Sequence, residues 1–271
     1  MSEADQYFLG YREAEQDRLE RQALELAGDS EWLFDRIGVS AGMSVVEIGC
    51  GPRGCLDLLS ERVGPSGRVV GVERSEDAVA RASALAETRG LANVEVHVGD
   101  GRDTGLPRDA FDLVTARLVL VNVPNPEELV AEAVAIAKPG GVVAFHEAVW
   151  PVHTCDPPLA EWDRLYEIFR AYADLNGIDL FVGRRVSRLL RAHGVEGVEG
   201  NAISHVYPLE HGRRLLAYDF VENLGPRLLE QDLIEIEELS RLKTALRRHL
   251  EHPDTFVISC LFVQAWGTKS I

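Results

Sequence analysis

The stretch VVEIGCGPRG, residues 45 to 54, decides the fold of this chain. An apolar run ends in three closely spaced glycines, Gly49, Gly51 and Gly54, and a helical pattern follows. Such glycines let a ligand approach the backbone, and the N–H groups at the start of the next helix face that ligand. The spelling G-x-G-x-x-G is that of a dinucleotide site, but Glu47 precedes it by two residues. The stretch predicts a nucleoside-bearing cofactor whose identity depends on the nearby charges.

Strand and helix patterns alternate from this loop onward. The predicted strands are SVVEIG, RVVGVE, VEVHVGD, FDLVTARLVL and VVAFHEA, and the predicted helices between them cover 54–63, 76–89 and 126–137. Continuous apolar strands that alternate with helices indicate an α/β fold with a parallel sheet covered on both faces. Beyond Trp150, the patterns predict helices at 158–175, 183–193 and 210–250, with strands in VEGNAISHVYP and TFVISCLFVQAWG.

The change in the pattern of strands and helices beyond Trp150 divides the chain into core and cap segments. We expect N-terminal cap helices over 1–38 and a cofactor-binding core over 39–150. A cap insertion over 151–181 precedes a core helix and strand over 182–208. A helical cap insertion over 209–252 and a final core strand over 253–271 complete the prediction.

Composition restricts the class of partner. The chain has 271 residues, of which 46% are hydrophobic, and this suits one α/β domain with a helical cap. The net charge of -16 argues against a nucleic acid or an anionic membrane as partner. The arginine pairs at 184–185, 213–214 and 247–248 are interpreted as solvated helix faces. We expect a cytoplasmic protein, because the sequence shows neither a signal pattern nor a membrane-spanning apolar run.

The four cysteines are Cys50, Cys55, Cys155 and Cys260. Their spacing fits neither a metal site nor a disulfide scaffold, so they are predicted to be reduced structural thiols. No His, Cys and Asp cluster has metal-ligand spacing, and no metal is predicted.

Three acids lie where a cofactor would bind. Glu47 favours a cationic cofactor such as S-adenosylmethionine over a pyrophosphate, although it could instead complement a helix dipole. Glu73 ends the second strand and could accept the ribose hydroxyls of either cofactor. Asp100 ends the third strand and could accept an adenine amino group, or cap its own loop. These acids favour S-adenosylmethionine over a dinucleotide as the cofactor. The third glycine of the motif, Gly54, is then interpreted as incidental, a small residue that opens the following helix.

The sequence resembles the class I S-adenosylmethionine-dependent methyltransferases over about residues 40 to 150. The resemblance rests on E-x-G-x-G, a strand-end Glu, GD after the third strand, FDLVTARLVL, and KPGG before the fifth. It implies a Rossmann-like, seven-stranded, mostly parallel sheet with an antiparallel last strand, helices on both faces and a helical cap. It also implies cofactor contacts by residue: Glu47, Gly49 and Gly51 on the methionine side, with Cys50 in the same loop, Glu73 on the ribose, and Asp100 and Gly101 at the adenine. Arg74 could cover the adenine face or be an exposed arginine.

The segment YFLGYREAEQDRLERQ resembles the leading segment of bacterial small-molecule methyltransferases, in which a turn and a helix close over the cofactor. This resemblance implies that Tyr7 and Arg117 reach the methionine carboxylate. The alternatives are a packing aromatic for Tyr7 and a surface ion pair for Arg117. Many relatives have His or Tyr where this chain has Asn122, so no catalytic role is assigned there. The apolar stripe of the N-terminal helix is a candidate contact for a homo-oligomer.

Catalytic candidates follow the fifth strand. His146 and Glu147 lie near the carboxyl ends of the strands, and alternation points them to opposite sides. His153 follows on the next loop. Each could take a proton from the acceptor, or simply bind loop backbone. The helical stripe of Trp162, Phe169 and Tyr172 is interpreted as cap core rather than as a recognition surface.

The sequence therefore predicts methyl transfer from S-adenosylmethionine to a small or medium organic acceptor, on O, N or C, in natural-product or antibiotic biosynthesis. Alternatives are methylation of RNA or protein, and non-catalytic binding of the cofactor. Reduction with NAD is a further alternative, but the chain lacks a Tyr-x-x-x-Lys pair. NAD would also leave Glu47 and Asp100 unexplained.

Overall fold

The computed structural model describes residues 13–271, without the side chain of Ala14, so the predicted role of Tyr7 lies outside the described residues. Within this range the helices are α1 (Glu13–Glu25), α2 (Ala27–Ile37), α3 (Leu56–Val63), α4 (Glu76–Thr88), α5 (Pro126–Ile136), α6 (Ala160–Leu175), α7 (Val186–Ala192), α8 (Leu216–Glu230) and α9 (Ile236–Leu250). The strands are β1 (Ser44–Ile48), β2 (Arg68–Glu73), β3 (Val94–Val98), β4 (Phe111–Arg117), β5 (Ala137–Val149), β6 (Thr154–Asp156), β7 (Val195–Ile203), β8 (Phe256–Ile258) and β9 (Leu261–Lys269).

Seven strands form the main sheet, in the order β3-β2-β1-β4-β5-β9-β7. Neighbours from β3 to β5 are parallel, whereas β9 runs antiparallel to both β5 and β7. The predicted fold class, a mostly parallel seven-stranded sheet with an antiparallel last strand, is confirmed. The chain moves outward from β1 to β3 and then returns to the other side of β1 with β4. This reversal opens a crevice at the carboxyl ends of β1 and β4, where α/β sheets bind ligands.

Both faces of the sheet are covered. Val45 and Leu113 pack in the apolar cluster that holds α2 and α3, while Val46 and Val114 pack in the one that holds α5 and the later helices. Successive residues of a strand point to opposite faces, so strands buried on both sides must be continuously apolar. In β1, SVVEI, the residues Val45, Val46 and Ile48 meet this requirement, and Glu47 is the exception, a buried acid.

The end of the chain differs from the prediction of one long strand over 255–267. It forms two strands: β8 pairs with β6 in a separate two-stranded sheet, and β9 enters the main sheet. Between them, the Ser259 hydroxyl accepts the His205 N–H at 2.8 Å and donates to the Cys260 carbonyl at 2.6 Å. These bonds replace ladder bonds and turn the backbone, so the single-strand prediction was wrong.

Three other predicted boundaries also move. The fourth strand ends at Arg117, because Leu118 has a φ of 57° and a 3-10 turn follows at Leu120–Asn122. The predicted helix over 210–250 is interrupted between Glu230 and Ile236, where Asp232 has a φ of 53°. The strand predicted at 198–208 begins and ends earlier, as β7.

The arginine pair at 213–214 is buried, so its interpretation as a solvated helix face was wrong. Arg213 and Arg214 are 4% and 3% exposed and lie in a 3-10 turn that precedes α8. Arg214 donates hydrogen bonds to four backbone carbonyls, which belong to Tyr207, Leu250, His252 and Thr255. The pair therefore belongs to the interior of the cap.

All four cysteines are free and buried, in agreement with the prediction of structural thiols. No helix within residues 13–271 combines the length and the apolar character that crossing a membrane requires.

Candidate cofactor and acceptor site

One cavity lies at the crevice beside the carboxyl ends of β1 and β4. Nine of the predicted cofactor residues line it: Glu47, Gly49, Cys50, Gly51, Glu73, Arg74, Asp100, Gly101 and Arg117. The loop after β1 and the ends of β2 and β3 form what we call the cofactor end. The structure thus brings together residues that the sequence places up to 70 positions apart, Glu47 and Arg117.

The first two glycines of the loop have different surroundings. A Cβ added at Gly49 would lie 2.5 Å from the Val119 side chain, so this position must be glycine for the loop to pack against the turn after β4. A Cβ added at Gly51 would meet nothing within 4 Å, although the φ of 58° there is left-handed. Gly51 therefore leaves open space beside a backbone that a ligand can approach.

The third glycine is required by packing, so its interpretation as incidental was wrong. Gly54 has a φ of 55°, and a Cβ there would lie 2.4 Å from the Glu47 carboxylate and 2.7 Å from the Cys50 carbonyl. The backbone of Gly54 passes directly over a buried acid and leaves no room for a side chain.

Glu47 lies beneath the loop. Its Oε2 accepts the Cys55 N–H at 2.7 Å, immediately before α3, and the residue is 1% exposed. Burial raises the pKa of Glu47 to about 7, although the nearby positive charge of Arg117 acts in the opposite direction. This contact with the start of a helix matches the helix-dipole alternative, and Glu47 is also among the residues that line the cavity.

Two further carboxylates face the cavity from adjacent strand ends. Glu73 accepts the N–H of Gly51 at 3.0 Å with one oxygen, and those of Arg74 and Ser75 at 2.8 and 2.9 Å with the other. It therefore fastens the glycine loop to the end of β2. Hydrogen bonds from Arg102 hold the pKa of Asp100 below its usual range, with a shortest distance of 2.6 Å. Sequence reasoning missed Arg102, which only the folded loop brings back onto Asp100.

Arg117 joins the loop to α2. Its Nη1 donates to the Ser30 hydroxyl at 2.8 Å and its Nη2 to the Gly54 carbonyl at 3.3 Å. These contacts are internal, so the surface ion pair considered for Arg117 does not form among the described residues. The guanidinium instead carries a positive charge on the cavity lining, next to buried Glu47.

None of the three catalytic candidates lines the cavity. Glu147 is fully buried and accepts the backbone N–H groups of Val119, Leu120 and Val121 at 2.9, 2.8 and 3.2 Å. Burial raises its pKa to about 8, against the effect of these three donors. Glu147 thus supports the turn after β4 from behind, and two residues of that turn, Val119 and Val121, line the cavity.

The two histidines are also buried. His146 packs edge-on against Phe262 at 5.5 Å between ring centroids, and neither of its ring nitrogens has a hydrogen-bond partner in the described part of the chain. His153 shares a hydrogen bond with the Tyr166 hydroxyl and packs against Trp162. Burial lowers the pKa of each histidine to about 3, so both rings are neutral at neutral pH.

Three aromatic side chains form the other end of the cavity, which we call the aromatic end. The ring centroid of Trp150 lies 5.0 Å from that of Phe220 and 6.2 Å from that of Phe169. The two phenylalanine rings stack with their centroids 5.3 Å apart. The three rings come from the segment after β5, from α6 and from α8. Trp162 and Tyr172 pack in the cap core as interpreted, but Phe169, on the same stripe, lines the cavity.

Helix α1 covers the cavity with one face. Gln16, Leu19, Gln22 and Ala23 line it, at the spacing of three and four residues that places side chains on one side of a helix. Leu19 and Ala23 belong to the apolar stripe that was interpreted as a candidate oligomer contact, whereas the two glutamines carry no sequence signal. Among residues 13–271, no group of three or more His, Cys, Asp or Glu side chains could hold a metal ion.

Comparison with known proteins agrees with this geometry. A sequence model of the methyltransferase domain matches residues 39–176. The nocamycin O-methyltransferase of Saccharothrix syringae is 35% identical over 130 residues, which are 48% of this chain and 45% of that protein. The chain therefore matches about half the length of this curated relative.

Solved structures share the fold at low sequence identity. Phosphoethanolamine N-methyltransferase 2 of Haemonchus contortus, in complex with S-adenosyl-L-methionine, is 17% identical with a TM-score of 0.58, over 90% of this chain and 53% of that one. A candidate methyltransferase from Bacillus halodurans C-125 is 17% identical with a TM-score of 0.60, over 90% of this chain and 100% of that one.

Proposed function

The chain belongs to the methyltransferase domain family, and from this membership we propose that it transfers a methyl group from S-adenosylmethionine to a small or medium organic acceptor. The observation that supports the proposal most is the cavity itself. Carboxylates and glycine backbone at its cofactor end continue without interruption into the three rings at its aromatic end. A polar nucleoside and an apolar acceptor would thus meet inside one cavity.

The cofactor end suits S-adenosylmethionine. The open space over Gly51 would admit the methionine part, and the carboxylates at this end would suit a ligand that carries an ammonium and a sulfonium. Glu73 would accept the ribose hydroxyls, and Asp100 with Gly101 would face the adenine, with Arg74 beside it. Arg117 would pair with the methionine carboxylate. When bound, the cofactor supplies an electrophilic methyl group on its sulfonium.

The chain's own contribution would be alignment and the exclusion of water. Trp150, Phe169 and Phe220 would hold the acceptor, while α1 covers the cavity. His146, Glu147 and His153 would act from behind the wall as supports, because none of them lines the cavity. Much of the acceleration of a methyl transfer can come from holding the nucleophile in line with the methyl–sulfur bond.

A role in natural-product biosynthesis, including that of antibiotics, is part of the proposal. It is supported by the likeness to nocamycin O-methyltransferase over about half of the chain. The acidic net charge of -16 favours a small molecule over RNA as the acceptor. A cytoplasmic location and a homo-oligomer that uses the N-terminal helix complete the proposal.

Calorimetry with S-adenosylmethionine and NAD, each titrated into the purified protein, tests the cofactor. We expect binding of S-adenosylmethionine only. Glu73→Ala and Asp100→Ala should each weaken it by roughly 1–3 kcal/mol, because each removes a charged hydrogen-bond acceptor. Glu76→Ala, which removes an exposed acid at the start of α4, is the matched control and should bind normally. Binding of NAD alone, or unchanged affinity in both site variants, would contradict the proposal.

A further inference from the structure

Arg213 is a buried arginine with an incomplete set of partners. Its Nε donates to the Tyr207 hydroxyl at 3.0 Å and its Nη1 to Gln22 Oε1 at 3.1 Å. Its Nη2 is buried and has no hydrogen-bond partner among the described residues. Within residues 13–271, no carboxylate forms an ion pair with this guanidinium. A buried charge without a counter-charge is costly, so the arrangement is suited to an anion that comes from outside the chain.

The neighbouring arginine shows that this incompleteness is not a general property of the turn. Arg214 is equally buried, but its guanidinium donates to four backbone carbonyls at 2.5 to 2.9 Å. Arg214 is fully used in holding the cap together. Arg213, one residue earlier, donates to the Tyr207 hydroxyl, but its Nη2 has no hydrogen-bond partner among the described residues.

Arg213 does not itself line the cavity, but it is bonded to a residue that does. Nη1 is bonded to the side-chain oxygen of Gln22, which lines the cavity and also accepts a hydrogen bond from Arg18 at 2.9 Å. A carboxylate that displaced this amide oxygen would meet Nη1 and the unpartnered Nη2 together. Two parallel N–H···O bonds of this kind are the favoured geometry between a guanidinium and a carboxylate.

Arg213 is related to the aromatic end through the rings of His153 and Phe262 rather than by a direct contact among the described residues. Its guanidinium lies 5.5 Å from the centre of the Phe262 ring, against which His146 packs. The charge of Arg213 helps burial to lower the pKa of His153, whose ring lies 6.4 Å from that of Trp150. Both histidines are neutral at neutral pH, and Arg18, the other arginine bonded to Gln22, forms an ion pair with Glu15. Arg213 therefore contributes one positive charge, which matches a single carboxylate.

We infer that the acceptor is an aromatic carboxylate, whose ring packs among Trp150, Phe169 and Phe220 and whose carboxylate is bound by Arg213. This inference rests on the proposed methyl transfer. Binding of the acceptor carboxylate then displaces the Gln22 side chain from Arg213, and Arg213 determines the specificity of the acceptor site.

Calorimetry on the protein saturated with S-adenosylhomocysteine tests the inference with two probes, 2-naphthoate and 2-naphthamide, which differ in charge but little in shape. We expect naphthoate to bind at least tenfold more tightly than naphthamide. Arg213→Gln should remove this preference by weakening naphthoate alone, and Arg213→Lys should restore part of it. Arg170→Gln, which removes an exposed arginine next to Phe169, is the control and should leave both affinities unchanged.

Each outcome bears on the inference. Equal affinity of the two probes for the wild-type protein, no measurable binding of either, or unchanged naphthoate affinity in Arg213→Gln would overturn it. If Arg213→Gln does not fold, the preference of the wild-type protein for naphthoate over naphthamide, and the affinities of Arg213→Lys for both probes, still test the inference. A failure of S-adenosylhomocysteine to bind would instead count against the proposed methyl transfer, so the two failures are distinguishable.

Discussion

At the scale of single residues, Gly51 and Gly54 share a left-handed backbone but not the space around it. Gly51→Ala should cost roughly 1–2 kcal/mol, the penalty of a side chain in that conformation. Gly54→Ala should cost roughly 1–3 kcal/mol more, because its methyl group would overlap the Cys50 carbonyl and Glu47. Urea unfolding of the two variants measures the difference, and equal stabilities would contradict this account of the loop.

Glu47 predicts a pH dependence of stability. Its pKa is about 7 in the folded protein and 4.5 as the reference value, so the folded state binds the proton more tightly. Its ionisation therefore destabilises the fold, beginning near pH 4.5 and reaching its full effect above pH 7. In Glu47→Gln, which keeps an oxygen for the Cys55 N–H, the free energy of unfolding should fall less as pH rises. Urea unfolding between pH 4.5 and 8 measures both slopes, and parallel curves would refute the assignment.

At the scale of elements, Arg214 ties the end of α9 to the segments before α8 and β8. The carbonyls that it binds belong to Leu250 and His252 at the end of α9, to Tyr207, and to Thr255. Lysine cannot serve four acceptors in one plane, so Arg214→Lys should lower the free energy of unfolding by about 2–4 kcal/mol. Arg248→Lys, on the exposed face of α9, should stay within about 0.5 kcal/mol in the same thermal or urea unfolding.

The strands that the sequence could predict are those specified by their own residues. β1 and β2 lie almost where SVVEIG and RVVGVE place them, because strands buried on both faces need continuous apolar runs. The break between β8 and β9 could not be predicted, because it depends on a hydrogen bond from His205 to Ser259, 54 residues later. The composition of TFVISCLFVQAWG fits a strand throughout.

The same distinction holds for the site. Glu73 and Asp100 could be found because they end predicted strands, and parallel strands end at one edge of the sheet. Trp150 and Phe220 meet only through the packing of the cap, and nothing local to either residue marks it as a cavity wall. Arg213 was misinterpreted because burial is a tertiary property that a charged pair in the sequence does not reveal.

At the scale of the whole molecule, the cavity is assembled from segments that are distant in the chain. The sheet supplies the cofactor end, the later segments supply the aromatic end, and α1 supplies a further part of the lining. Methyl transfer benefits from the exclusion of water, but the acceptor must also enter and leave. We expect the part of the cavity lining that is held least firmly to move.

Helix α1 is held by few apolar contacts. Of its described apolar side chains, Ala23 is buried at 5% exposed and Leu24 is 56% exposed, and its other buried side chains, Glu15, Gln16 and Arg18, are polar. Its ion pairs from Asp17 and Glu20 to Arg81 are partly exposed, and exposed pairs contribute about 0–1 kcal/mol at most. Elements with little buried apolar contact open locally far more often than the core does.

Amide hydrogen exchange should therefore show α1 exchanging faster than β1 or β5 in the ligand-free protein. Saturation with S-adenosylhomocysteine should slow exchange in α1 and in the loop over 49–55, because the ligand adds contacts between α1 and the sheet. The edge strand β7, which is remote from the cavity lining, is the internal control and should not change. If bound ligand protected only the glycine loop, α1 would be a fixed wall. The acceptor would then have to enter by another route, such as the cap helices around Phe169 and Phe220.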